Sequence, residues 1–228
     1  MPGVNLNNEY SYSIIRAYRA KPDESVAIGS FTNHVLKNWD SRKRGVTKFK
    51  KSIRVYLEAK QKERCAYCRQ YLQASGKGEH LDHIIAKGSR PQWMFTPENL
   101  VLSCSGCNTP KKAARVLNSP HNRWRADYPG CSAAFRIFNP YYDRWADHFL
   151  IDDEIFIQAR PGSKGDFTIA TCQLFREQVV INNVRELRMS KTKSRKKVMH
   201  KLYNTPAGTP GYQQLENALA QIMRTVFK

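Results

Sequence analysis

Two Cys-x-x-Cys pairs, Cys65/Cys68 and Cys104/Cys107, constrain this chain more than any other feature. Four thiolates complete the tetrahedral coordination of a Zn²⁺ ion, so two such pairs read as one structural site with no open position. A closed site builds structure and does no chemistry. The reactive side chains are therefore expected between and just after the pairs. That stretch holds Glu79-His80-Leu81-Asp82-His83, then Asn99 and Asn108.

Charge narrows the partner. Lys plus Arg number 38 against 19 for Asp plus Glu, a net charge of +19 over 228 residues. A polyanion is the simplest complement to such a surface, and nucleic acid is favoured over an anionic membrane. No apolar run approaches the ~20 residues that span a bilayer. Met1 to Tyr10 is polar and lacks the apolar core of a signal peptide, so a cytoplasmic protein is expected. In a reducing compartment paired cysteines favour metal over disulfides. Cys131 and Cys172 have no close partner in sequence and read as small buried hydrophobes.

The pattern predicts an α+β chain in three parts: a helical lead-in over 1–62, a zinc-pinned core over 63–120, and an aromatic-rich, basic helical extension over 121–228. Phe49, Ile53, Tyr56 and Leu57 fall on one face of a helix over 47–62. Short strands are expected over 79–85 and 98–103, then a helix over 106–117 exposing Lys111, Lys112 and Arg115. The aromatics from Trp124 to Trp145 are expected to cover the core. Segments 154–159 and 166–171 flank Pro161-Gly162-Ser163-Lys164-Gly165 and read as an additional hairpin. Residues 176–203 read as a helix, strongly basic from Arg185 to Lys201, and 211–228 as a final amphipathic helix.

Taken together, His80-Leu81-Asp82-His83-Ile84, Glu98-Asn99-Leu100-Val101-Leu102 and Cys104-Ser105-Gly106-Cys107-Asn108 resemble the HNH endonuclease motif, which sits on a ββα-metal fold often held by two zinc knuckles. The match covers about residues 65–115, and the combination of both knuckles with the Asp-His pair and the intervening Asn makes it specific. The resemblance implies Asp82 and Asn108 as ligands of a catalytic Mg²⁺ or Mn²⁺ and His83 as the general base. It implies Asn99 as the residue that holds the loop orienting His83. Asn108 stands where many members carry His, and Ile84-Ile85-Ala86-Lys87-Gly88 lacks the proline that members often carry after the first His.

The chemistry agrees with that assignment. Hydrolysis of a phosphodiester needs a deprotonated water and help for the departing 3′-oxygen. An imidazole takes a proton near neutral pH, and one divalent ion stabilises the charge that develops on phosphate. Oxygen ligands from Asp82 and Asn108 suit Mg²⁺ or Mn²⁺. Lys111, Lys112 and Arg115 are candidate phosphate contacts, as are Lys193, Arg195, Lys196 and Lys197 in the later basic run. His80 reads as a surface residue, with contact to substrate or metal as the alternative, and His34, His121, His148 and His200 take no role. Competing readings stay open: a homing or restriction endonuclease, or a zinc module that binds nucleic acid without cutting it.

Asn139-Pro140-Tyr141-Tyr142-Asp143 and Asp147-His148-Phe149 resemble the tail behind the HNH core in nuclease subunits of Septu-type anti-phage systems, some of them retron-linked. That likeness implies a defence role beside an ATPase subunit, with the apolar face of 211–228 as a candidate docking helix.

Overall fold

The computed structural model of the chain describes residues 11–14, 16–72, 79–118, 127–152, 156–190, 202–209 and 212–213, with the side chains of 152 and 184–190 outside the description. The described residues form six α-helices and two small antiparallel sheets in a mixed arrangement. None of the described helices is long and apolar enough to cross a membrane.

The first helix, α1, runs Pro22–Gly29, with a proline in its first turn and the Glu24 carboxylate accepting from the Lys21 amide at 2.9 Å. Glu24 is fully buried and also accepts from Tyr18 Oη and Ser52 Oγ, which ties α1 to the next helix. That helix, α2, spans Arg44–Lys60 and buries Val46, Phe49, Ile53 and Leu57. It begins earlier than the expected residue 47 because Val46 belongs to the buried stripe. Tyr56 stays half-buried at the stripe's edge. Gly45 lies where α1 and α2 touch; a Cβ there would fall 2.7 Å from Asp23 O and closer still to Ala27 Cβ.

Two consecutive residues with positive φ, Lys62 (52°) and Glu63 (57°), break α2 and turn the chain into the first cysteine pair. Gln61 locks that turn to the sheet. Its Nε2 donates to Arg64 O and Leu102 O, and its Oε1 accepts from the Leu102 amide, each at 2.8 Å.

Strand β1 (Glu79–His83) pairs antiparallel with β2 (Leu100–Cys104), placing Glu79 opposite Cys104 and His83 opposite Leu100. β2 is buried throughout and feeds directly into α3 (Ser105–Lys111), which packs on both strands. The expected helix to residue 117 is cut short. Pro110 cannot donate a helical hydrogen bond, and Lys112 takes φ 41° as the helix ends.

The remaining elements are α4 (Trp145–His148), β3 (Phe149–Asp152), β4 (Phe156–Ala159), α5 (Gly165–Cys172) and α6 (Glu177–Ser190). A hairpin exists here, but its strands are β3 and β4. The expected strand over 166–171 is instead α5. Thr168 Oγ1 donates to Lys164 O one turn back at 2.8 Å and accepts from the Phe138 amide at 2.8 Å. Local β-propensity at Thr168, Ile169 and Thr171 is overridden by packing of α5 against α3 and β4.

Buried apolar residues form one cluster that takes in Ile14, the face of α2, strand β2, Trp145, Phe149 and Leu174, with Leu81 of β1 partly buried against it. Trp145 reaches the first cysteine pair, donating from Nε1 to Tyr67 O at 3.2 Å. Cys172 is buried as expected; Cys131 is exposed, contrary to expectation. Helix α6 covers part of the expected 176–203. Residues 191–201, Trp124 and nearly all of 211–228 lie outside the described residues.

Candidate metal centre and candidate active site

Cys65, Cys68, Cys104 and Cys107 converge in one buried cluster, their sulfurs all within 4.8 Å of one another. The first pair is presented by the turn after α2, where the Cys65 amide bonds Gln70 O and the Arg69 amide bonds Cys65 O. The second pair spans the junction of β2 and α3. The Cys104 amide also points at Cys65 Sγ, 3.4 Å away.

Crowding shapes these thiols. Hydrogen bonds from Cys107, Cys65 and Cys68 hold Cys104 far below the ordinary thiol range. The bond to Cys104 pushes Cys68 up, and burial does the same to Cys107. Thiolates crowded this closely repel one another, and a dication at their centre would offset that repulsion. The donor set and its geometry fit a structural Zn²⁺ site.

Arg176 covers the cluster. Its Nη2 lies 3.3 Å from Cys107 Sγ, 3.4 Å from Cys104 Sγ and 3.8 Å from Cys68 Sγ. A tetrathiolate zinc centre here would carry a net charge near −2, part of which this guanidinium would offset. Gly106 permits the approach, since a Cβ there would sit 2.8 Å from Arg176 Nε. Nothing local in sequence marks Arg176 for this position.

Asp82 and His83 close β1. Asp82 is 6% exposed and both carboxylate oxygens are engaged: Oδ1 by Lys111 Nζ at 3.1 Å, Oδ2 by Tyr67 Oη at 2.9 Å. Burial raises its pKa, while the Lys111 charge and the two hydrogen bonds oppose that rise.

His83 is 7% exposed, and its Nε2 lies 3.0 Å from Met94 O. A carbonyl only accepts, so Nε2 carries the proton and Nδ1 keeps a lone pair. Burial drops the pKa of His83 to about 4; the fields of Lys87, Lys111 and Lys50 add to this, and the bond to Met94 opposes it. The imidazole is neutral at physiological pH.

Asn99 pins the loop that follows His83. Its Oδ1 accepts from the Ile85 amide at 2.7 Å, and its Nδ2 donates to Ile85 O at 3.0 Å and Trp93 O at 3.2 Å. The Asn99 carbonyl also accepts from the Ile84 amide at 2.8 Å. The loop of Met94 and the residues just after His83 are thus held by one fully buried amide.

Asn108, half-buried, lies in α3 on the same small unit as Asp82 and His83. Lys111, expected on an exposed face, is 1% exposed, and its ammonium bridges Asp82 Oδ1 and His83 O, the latter at 2.7 Å. Its burial follows from its partner: an ammonium enters a core only against a carboxylate and a carbonyl. Lys112 and Arg115 are exposed, as is His80. Lys193, Arg195, Lys196 and Lys197 lie outside the described residues.

A second polar hub forms in the tail. Asp143 accepts from the Asn139 amide at 2.8 Å, from Ser132 Oγ, and from Lys164 Nζ at 2.8 and 3.0 Å, with His148 Nε2 at 3.6 Å. The short motifs of residues 139–149 thus meet at one carboxylate.

No protein-family model matches the chain, and no curated protein matches it significantly.

Proposed function

We propose that this chain is a metal-dependent HNH endonuclease that hydrolyses DNA, with His83 as general base. The observation that carries the reading is the state of the His83 ring. Its Nε2–H is spent on Met94 O and Asn99 clamps the surrounding loop, so a neutral, oriented Nδ1 is left to accept a proton from water. The strand–strand–helix unit β1–β2–α3, closed at one end by four cysteines, supports the ββα-metal assignment.

Asp82 and Asn108 offer the oxygen donors that suit Mg²⁺ or Mn²⁺. A carboxylate has roughly four lone-pair sites, so two contacts leave room for a further ligand bond. When bound, such an ion stabilises the charge developing on the phosphate and the leaving 3′-oxygen. The chain's own part is to orient Nδ1, keep it unprotonated, and hold the reacting phosphate in a basic environment.

The test is incubation of the full chain with plasmid and Mg²⁺ or Mn²⁺, repeated with His83→Ala. Loss of about 10²–10⁴-fold in cleavage with folding retained is the expected result. Activity within a few fold of the parent moves the base elsewhere.

A second reading is a zinc module that binds nucleic acid without cutting it. The Lys111–Asp82 pair favours it, since an ammonium already compensates the carboxylate. The cleavage assay separates the two. Within the nuclease reading, convergence of Asn139, Asp143 and His148 supports the likeness to Septu-type nuclease subunits, and hence a role in anti-phage defence beside an ATPase.

A further inference from the structure

The segment leading into α2 carries rings that the motif leaves without a role. Trp39 stands edge-on to the His83 imidazole, ring centres 4.4 Å apart and planes at 69°. Phe95 lies 5.5 Å from Trp39 and is stacked on Phe31 at 5.7 Å with planes 6° apart. Phe31, Phe95, Trp39 and His83 therefore form a continuous strip. Unlike Phe49 and Phe135, which are fully buried, Phe31, Phe95 and Trp39 are each partly exposed.

Three lysines lie over this strip. Lys43 Nζ is 4.7 Å from the centre of the Phe31 ring, and Lys50 and Lys87 Nζ are 4.7 and 5.6 Å from that of Trp39. Lys43 comes from the start of α2, Lys50 from its second turn, and Lys87 from the loop after His83. Lys43 and Lys50 share the basic stretch from Arg42 to Lys51, and the fold brings Lys87 to it.

Attraction to a ring contributes only ~0.5–1 kcal/mol at exposed sites, which is modest against the mutual repulsion of two cations. Burial lowers the pKa of Lys50, Asp40 opposes that, and the charge of Lys87 adds a smaller push downwards. An anion beside Trp39 gains from both ammonium charges. Its place beside His83 is where a general base for phosphodiester hydrolysis meets its substrate.

We infer that Phe31, Trp39, Lys43, Lys50 and Lys87 form the path by which the scissile strand of a DNA duplex reaches His83, with Lys50 and Lys87 holding phosphates next to the cleaved bond. This rests on the nuclease reading for its substrate. The rings supply an apolar floor against which the deoxyribose faces of the strand pack. The lysines supply the charge. The path ends at the reacting imidazole, which Trp39 meets edge-on.

The experiment titrates the full chain carrying His83→Ala with a short fluorescein-labelled DNA duplex of mixed sequence, reading anisotropy across a salt series. Adding Lys50→Gln and Lys87→Gln should weaken binding on the order of tenfold and reduce the slope of log affinity against log salt by about 1.8, twice the ~0.9 per phosphate contact. A charge-matched Lys51→Gln/Lys60→Gln pair, on exposed positions of α2, should leave affinity and slope close to the parent. An unchanged slope in the Lys50/Lys87 variant, or an equal loss in the control, overturns the path. If the unaltered chain cuts plasmid while that slope stays put, the nuclease reading survives and the path falls. If the slope drops while the unaltered chain cuts nothing with Mg²⁺ or Mn²⁺, the path stands as a DNA surface and the nuclease reading falls.

Discussion

Lys111 and Asp82 form a buried ion pair, Nζ to Oδ1 at 3.1 Å, with side chains 1% and 6% exposed. The same ammonium bonds His83 O, so a single side chain of α3 fastens the end of β1. Removing one member of a buried pair leaves an uncompensated charge, typically at ~3–5 kcal/mol. Lys111→Met is therefore expected to lower stability by about that amount at neutral pH. It also vacates one oxygen of Asp82, so Mg²⁺ or Mn²⁺ should raise the melting temperature of Lys111→Met more than that of the parent. Thermal melts with and without the ion measure this. An equal response in both proteins removes Asp82 from the divalent site.

Asn99 makes three side-chain hydrogen bonds to the backbone around His83 while fully buried. Asn99→Ala leaves the Ile85 amide without its acceptor, a loss of roughly 1–3 kcal/mol for a buried polar group. Cleavage should fall further than stability accounts for, because the loop that carries Met94 O loses its anchor. Activity compared at a temperature where both proteins are fully folded tests the point. Equal activity there would reduce Asn99 to a stabilising role.

The cysteine cluster should hold one zinc per chain, measurable by elemental analysis. Zinc bound by structural sites of this kind contributes directly to folding, so chelation or Cys107→Ser should give partly unfolded protein. Arg176→Met is expected to fold with zinc but to release it faster to a chelator, since a charge 3.3 Å from Cys107 Sγ is gone. Well-folded protein stripped of metal would contradict the structural role. Unchanged release from Arg176→Met would leave Arg176 a packing residue.

The parts of this architecture legible in the sequence are those carried by local spacing. Paired cysteines announce their convergence because a metal needs four donors. The stripe Phe49, Ile53 and Leu57 announces α2 through its helical period. β1 and β2 fall within two residues of expectation because Leu100, Val101 and Leu102 make a short apolar run. Long-range relationships were not legible. Arg176 meets Cys107 across 69 positions of chain, and no periodicity encodes that contact. Lys111 looks like any helix lysine until Asp82 is placed beside it. Trp39 and Phe31 sit in a stretch with little regular pattern, and their alignment with His83 appears only once α2 and the loop around Phe95 are packed. The strand expected over 166–171 followed β-branched residues, whereas Thr168 bonds Lys164 O one turn back and the segment packs as a helix on α3 and β4.

The tail hub makes a prediction in acid. Burial alone would raise the pKa of Asp143, but the hydrogen bonds from His148, Lys164, Ser132 and the Asn139 amide outweigh it and hold the carboxyl down to about 2. An unfolded Asp titrates near 3.9, so the folded state binds its proton less readily. The resulting stabilisation is complete above about pH 5 and is lost as pH falls through 4 towards 2, amounting to about 2 kcal/mol. Asp143→Asn abolishes the titration. The variant should be less stable than the parent at pH 7, because Lys164 is left with no carboxylate, and the gap should narrow by about 2 kcal/mol as pH falls towards 2. Acid also strips metal from the cysteines, but it does so in both proteins, so the difference between them isolates Asp143. Denaturant midpoints measured for the pair across this range decide the matter. A gap that stays constant from pH 7 to pH 2 would mean that the carboxylate is not held by these partners.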